Sequence, residues 1–153
     1  MARRTGLADI TRRADVKWVG ALMQGKGSLT VGSGALGQQN VSWGSRTEEP
    51  GGNTSPEELV AAAHASCYAM AFSHTLGEAG HPPDSLNVSA VVTFAPIPEG
   101  GFRVSSSVLT VAGKVPGIDQ AQFEDYAKQG EAGCPISNAL RGNVDISVSA
   151  TLE

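Results

Sequence analysis

Hydrophobic and polar positions change their period several times along this chain, and each change marks an element. Residues 14–22 alternate, with Val16 and Trp18 on one face and Lys17 on the other, as a half-buried strand does. Gly25-Lys26-Gly27 reads as a turn and residues 28–31 as a second strand. The glycine-rich segment 32–39 is loop-like. A third strand is predicted over Asn40–Thr47, with Val41 and Trp43 on one face and Arg46 near its end on the other. Residues 48–53 contain Pro50-Gly51-Gly52 and must be a loop.

The pattern then turns helical. Ser55 suits an N-cap, Pro56 the first helical position, and Glu58 the return partner of a capping box. Gly80 followed by His81-Pro82-Pro83 stops the helix, which gives a rod of about 24 residues and about 36 Å. No Asp, Glu, Lys or Arg occurs between Glu58 and Glu78. A helix without a charged face has no side suited to water, so its whole circumference needs cover. Beyond it, residues 86–94 alternate (Leu86, Val88, Ala90, Val92, Phe94) and Pro96–Gly101 turns the chain. Residues 102–111 supply a partner strand whose apolar phase slips between Val104 and Leu109, the mark of a bulge. Asp119 and Gln122 form a second capping box, Ile118 and Phe123 have the spacing of a hydrophobic staple, and that helix should end near Gly130. A short helix follows from Cys134-Pro135 through Leu140, and Val144, Ile146, Val148, Ala150 and Leu152 alternate as a last strand.

The order is therefore β-β-β-α-β-β-α-α-β. Strands segregate from helices, which predicts an α+β fold with antiparallel-rich sheets wrapped around long central helices. Residues 1–13 carry no periodic signal and read as a tail, and residues 14–153 as a single domain. A single six-stranded sheet would cover one side of the uncharged helix. The apolar surface left over predicts an intertwined homodimer.

Composition narrows the function classes. The chain has 153 residues and a formal charge of −4, with basic residues scattered except for Arg3-Arg4 and Arg12-Arg13. That argues against nucleic acid as a partner. No apolar run follows either arginine pair, so no secretory signal is expected. The uncharged stretch is rich in Ala and contains His64, Ser66, Ser73, His74 and Thr75, too polar for a membrane span. Two cysteines and no signal predict a cytoplasmic protein whose thiols are reduced.

Cys67, in the middle of the uncharged helix, and Cys134, at the start of a short helix, are the candidate chemistry. A buried helical cysteine is commonly an inert small hydrophobe. Cys134, by contrast, stands where first-turn amides favour a thiolate or a disulfide partner. Arg46, if it reached Cys67, would lower the thiol's pKa and hold a nucleophilic thiolate ready. Glu58 is accounted for by capping, which leaves Glu57 for another role. Glu57 and Cys67 are ten residues apart, about 15 Å along one helix, so a site using both would draw on two subunits or a bridging arginine. His64 lies one turn before Cys67 and could pair with it, as in a cysteine hydrolase. A packed, hydrogen-bonded core histidine is the better reading, and three scattered histidines make a poor metal site. Met70 and Phe72 are candidate walls for an apolar pocket.

The run Asn53-Thr-Ser-Pro-Glu57-Glu-Leu-Val-Ala-Ala-Ala-His64-Ala-Ser-Cys67 closely resembles the active-site helix of the OsmC/Ohr family of thiol-dependent peroxidases, and its Ala-Ala-Ala-His-Ala-Ser-Cys core resembles the OsmC branch. Gly133-Cys134-Pro-Ile-Ser-Asn-Ala-Leu140 is similar to the family's second-cysteine motif, and Val115-Pro-Gly-Ile-Asp119 and Gly25-Lys-Gly27 also fit. The likeness spans residues 14–153. It implies that Cys67 is the peroxidatic cysteine, Cys134 the resolving one, Arg46 the activating arginine and Glu57 the carboxylate that orients it. It implies also a homodimer with active sites at the subunit interface, no metal or organic cofactor, an organic hydroperoxide as substrate, a lipoyl-type dithiol as reductant, and a part in oxidative or osmotic stress defence. Two other classes remain open from the residues alone: a Cys–His hydrolase using Cys67 and His64, and a non-catalytic redox sensor.

Overall fold

The computed structural model describes residues 8–153, and the chain divides into two compact units, Met1–Ser55 and Pro56–Glu153. The first unit holds strands β1 (Ala14–Val19), β2 (Lys26–Val31) and β3 (Gln39–Val41), joined as an antiparallel sheet in the order β1-β2-β3. Gly25 and Gly27 serve packing more than turning: a Cβ on Gly25 would lie 2.5 Å from the Trp18 ring, and one on Gly27 would lie 2.6 Å from Val41 Cγ2. Trp18 lies flat on the glycine strip, and Gly27 pairs with Trp18 across the ladder.

The third strand is shorter than the alternation over Asn40–Thr47 predicts. It ends at Val41, and Trp43–Thr47 is a short helix, α1, with Arg46 in its last turn. Ser42 is the reason. Its Oγ accepts from Ser45 N–H at 3.1 Å, and Ser45 Oγ accepts from Ser42 N–H at 3.0 Å, a closed capping box that draws the chain out of the sheet. The apolar spacing of Val41 and Trp43 imitated a strand across that junction.

The second unit contains α2 (Pro56–Glu78), β4 (Ser85–Pro96), β5 (Phe102–Lys114), α3 (Gln120–Ala132), α4 (Pro135–Leu140) and β6 (Asp145–Leu152). Its strands form a separate sheet in the order β4-β5-β6, so the six strands make two three-stranded sheets rather than one of six. The β4–β5 hairpin is antiparallel, but β6 joins β5 in parallel because α3 and α4 form the crossover. The predicted bulge is present: Thr93 pairs with Ser106 and Phe94 with Val104, which leaves Ser105 as the extra residue.

Helix α2 ends as its sequence dictates. Gly80 takes φ +84°, His81 N–H donates to Leu76 O at 2.8 Å and Gly80 N–H to Gly77 O at 3.0 Å, a Schellman closure. The predicted box of α3 is formed, with Asp119 and Gln122 exchanging hydrogen bonds of 2.8 and 3.0 Å. Tyr68, Phe72 and Leu76 recur every four residues on α2 and are fully buried against Leu109 and Val111 of β5 and Phe123 of α3. Phe72 meets Phe123 at a ring-centroid distance of 5.1 Å. Phe72 is thus a core residue, not a pocket wall, whereas Met70 is 69% exposed. Met70 belongs to an uncharged strip along α2, with Ala62, Ala63, Ser66 and His74, that stays exposed in a single copy of the chain.

Candidate active site

Packing of α4 against α2 decides the geometry. Cys134 is the N-cap of α4, and its Sγ accepts from Ser137 N–H at 3.5 Å. Pro135 occupies the next position, where its missing N–H costs nothing. Cys67 packs against the core cluster that includes Cys134, near enough to the first turn of α4 for the Ile136 amide and the Cys134 thiol both to act on its pKa. Both cysteines are free thiols, Cys134 fully buried and Cys67 half-buried.

The charge state of Cys67 follows from these neighbours. Burial pushes its pKa up, the Ile136 amide acts in the opposite direction, and Cys134 adds to the rise as hydrogen-bond partner and as a like charge. Within this unit the protonated thiol is therefore favoured. A nucleophilic role requires a positive charge from elsewhere.

His64 is a core residue, as its position suggested. It is fully buried, with Nδ1 2.6 Å from Ser107 Oγ on β5 and Nε2 2.7 Å from Ser137 Oγ on α4. With both ring nitrogens engaged, none is left to take a proton from Cys67, which counts against a Cys–His pair. Burial lowers the His64 pKa, and the charge of Glu131 only partly opposes this. A base with a depressed folded-state pKa contributes stability above its ordinary value of 6.5 that is lost as pH falls through that region. Urea midpoints should therefore drop between pH 7 and pH 5, and drop less in His64→Gln. An equal loss in both proteins would assign the acid sensitivity to other groups.

Of the four site residues expected from the sequence, the structure brings Cys67 and Cys134 together. Glu57 is buried in the first turn of α2, about 15 Å along an unbroken helix from Cys67. Arg46 belongs to the first unit, in the last turn of α1. Ser107, Ser137 and the Ile136 amide were not anticipated. Only Ser137 left a local trace, three residues after Cys134 at the start of a helix.

Comparison with known proteins places this arrangement. The sequence pattern of the family described as OsmC-like protein matches residues 49–149. The chain is 37% identical over 137 residues to peroxiredoxin OsmC of Escherichia coli (strain K12), covering 90% of this chain and 94% of that protein. The chain belongs to the OsmC-like family. Another relative is the organic hydroperoxide resistance protein OhrB of Bacillus subtilis (strain 168), 29% identical over 122 residues that cover 80% of this chain and 87% of OhrB. Among solved structures, an OsmC organic hydroperoxide resistance protein from Legionella pneumophila superposes with a TM-score of 0.71 at 26% identity, over 95% of this chain and 99% of that one. The crystal structure of OhrB from Bacillus subtilis shares the fold with a TM-score of 0.72 at 23% identity, over 94% and 98% of the two chains. In this OsmC-like chain the mixed α+β architecture is thus that of the OsmC and Ohr proteins.

Proposed function

We propose that this OsmC-like protein is a thiol-dependent peroxidase that reduces organic hydroperoxides in preference to hydrogen peroxide. The observation that carries the reading is the packing of Cys67 against the core cluster that contains Cys134, so that the two thiols influence one another at the start of α4. It is supported by relatives named for peroxiredoxin activity and for organic hydroperoxide resistance. The Cys67 thiolate attacks the distal oxygen of the hydroperoxide, the O–O bond breaks, and the alkoxide leaves as alcohol after taking a proton. Cys67 is then a sulfenic acid, which Cys134 converts to a disulfide with release of water. A dithiol of lipoyl type returns both thiols by exchange. Up to the disulfide, these steps use only the hydroperoxide and the two thiols.

Arg46 supplies the positive charge that the burial of Cys67 demands, and Glu57 orients it. Because Glu57 and Cys67 lie far apart on one helix, the site is completed by a second copy of the chain. Residues 14–153 act as one OsmC-like domain within that homodimer. The exposed uncharged strip of α2 supports the pairing, since a stripe of Ala, Ser and Met gains little from water. Among the described residues no helix is long and apolar enough to cross a membrane. A cytoplasmic setting, in defence against oxidative or osmotic stress, suits a pair of reduced thiols.

Purified protein with a dithiol should consume an alkyl hydroperoxide catalytically, and faster than hydrogen peroxide. Stoichiometric oxidation without turnover would instead make it a redox sensor. Arg46→Gln removes the proposed charge, so the pH midpoint for alkylation of Cys67 by iodoacetamide should move upward and peroxide reduction at neutral pH should slow by about tenfold or more. An unmoved midpoint would remove Arg46 from the site.

A further inference from the structure

Ser137 engages two functional groups at once. Its hydroxyl lies 2.7 Å from His64 Nε2, and its backbone N–H donates to Cys134 Sγ. The preceding amide, that of Ile136, acts on Cys67 and opposes the rise in its pKa. The other end of the imidazole is fixed to β5 by the 2.6 Å contact with Ser107 Oγ. His64, Ser107, Ser137 and Cys134 are all fully buried, so none of these bonds competes with water.

The helix that carries Cys134 needs such an anchor. With six residues, α4 is too short to hold its own shape, and its first turn sits where its packing puts it. Its contacts with the rest of the unit are mainly to α2. His64 stands one turn before Cys67 on that same helix, so one imidazole refers the position of Cys134 to the turn of α2 that bears Cys67. The peroxide-attacking sulfur sits on a long helix packed along its length, and depends far less on the imidazole.

We propose that His64 is a positioning residue for disulfide formation: through Ser137 it holds the Cys134 thiol in register with Cys67, and so controls how fast the sulfenic acid is captured. The proposal rests on the peroxidase reading of the two cysteines. In the step concerned, the sulfur of Cys134 attacks the sulfur of the Cys67 sulfenic acid. The S–S bond forms as the S–O bond breaks, and the departing hydroxide leaves as water with the proton given up by Cys134. The sulfenic sulfur is reduced and the Cys134 sulfur oxidised by the same amount, so no further oxidant or reductant enters. Such a reaction within one molecule owes its speed to held geometry, and loosening one partner costs orders of magnitude.

Stopped-flow measurements can separate sulfenic acid formation, read with a dimedone-type trap, from disulfide formation, read by thiol loss. His64→Leu should slow the second step about tenfold or more relative to the first. His64→Gln, whose amide can occupy the place of Nε2, should restore the ratio to within about threefold. Ser137→Ala, a small change with little risk to folding, should reproduce the loss, and the double variant His64→Leu/Ser137→Ala should be no worse than either alone. A second readout does not involve peroxide: in a dithiothreitol redox buffer the equilibrium constant for the Cys67–Cys134 disulfide should fall about tenfold in His64→Leu and Ser137→Ala, about 30 mV. If both variants keep the ratio of steps and the equilibrium constant within twofold of the parent, the positioning role is overturned. If the parent forms no sulfenic acid with hydroperoxide, the peroxidase reading fails, and the redox buffer still decides whether His64 positions Cys134.

Discussion

Cys67→Ser should leave hydroperoxide consumption at the uncatalysed rate, in any protein preparation that retains the native fold. The substitution is nearly isosteric and the site is half-buried, so folding should survive it. What is lost is the nucleophile. A thiol whose pKa is raised by burial can still be returned to the thiolate by a neighbouring cation, because a fixed positive charge beside a cysteine lowers its pKa by several units. A serine hydroxyl in the same place ionises far too weakly for any single charge to rescue it. Consumption of an alkyl hydroperoxide in the presence of dithiol measures this directly. Activity above about a hundredth of the parent's would show that Cys67 is not the attacking group.

Cys134→Ser should separate the two halves of the cycle. Without a dithiol it should consume one equivalent of hydroperoxide per chain and then stop, with a sulfenic acid at Cys67 that dimedone labels. The first event should be no slower than in the parent, because Cys134 is one of the groups that raise the Cys67 pKa. The parent under the same conditions should also stop after one equivalent, but as an unlabelled disulfide. A variant that ends as a disulfide between two chains would mean that Cys67 finds another thiol. One that turns over repeatedly without dithiol would exclude the scheme.

Legibility differed by the range of the information. Where a boundary is set by neighbours in sequence, it was readable: Pro56 and Gly80 delimit α2, Asp119 and Gln122 start α3, and the phase slip in β5 locates the extra Ser105. The error at Trp43–Thr47 was also local, since Ser42 and Ser45 offered a capping box that the alternation of Val41 and Trp43 concealed. Division into two sheets, and the parallel pairing of β5 with β6, depend on how strands meet, which periodicity does not carry. The same limit applies at the site. Cys67 and Cys134 stand in motifs, but the partners of His64 are 43 and 73 residues away and are ordinary serines. No local pattern distinguishes a serine that fastens a buried imidazole from one that faces water.

Cys67 and Cys134 stand 67 residues apart in sequence. A covalent link there would restrict the unfolded chain by an amount worth about 4 kcal/mol in the loop-closure picture, a large fraction of a domain's total stability. The cycle of oxidation and reduction would then also be a cycle of mechanical strength. Each molecule of oxidant consumed would tie the middle of α2 to the start of α4, and each reduction by dithiol would untie them. A cell depleted of reductant would accumulate the tied form, the one that heat and proteases open least readily, at the time when the protein is most needed.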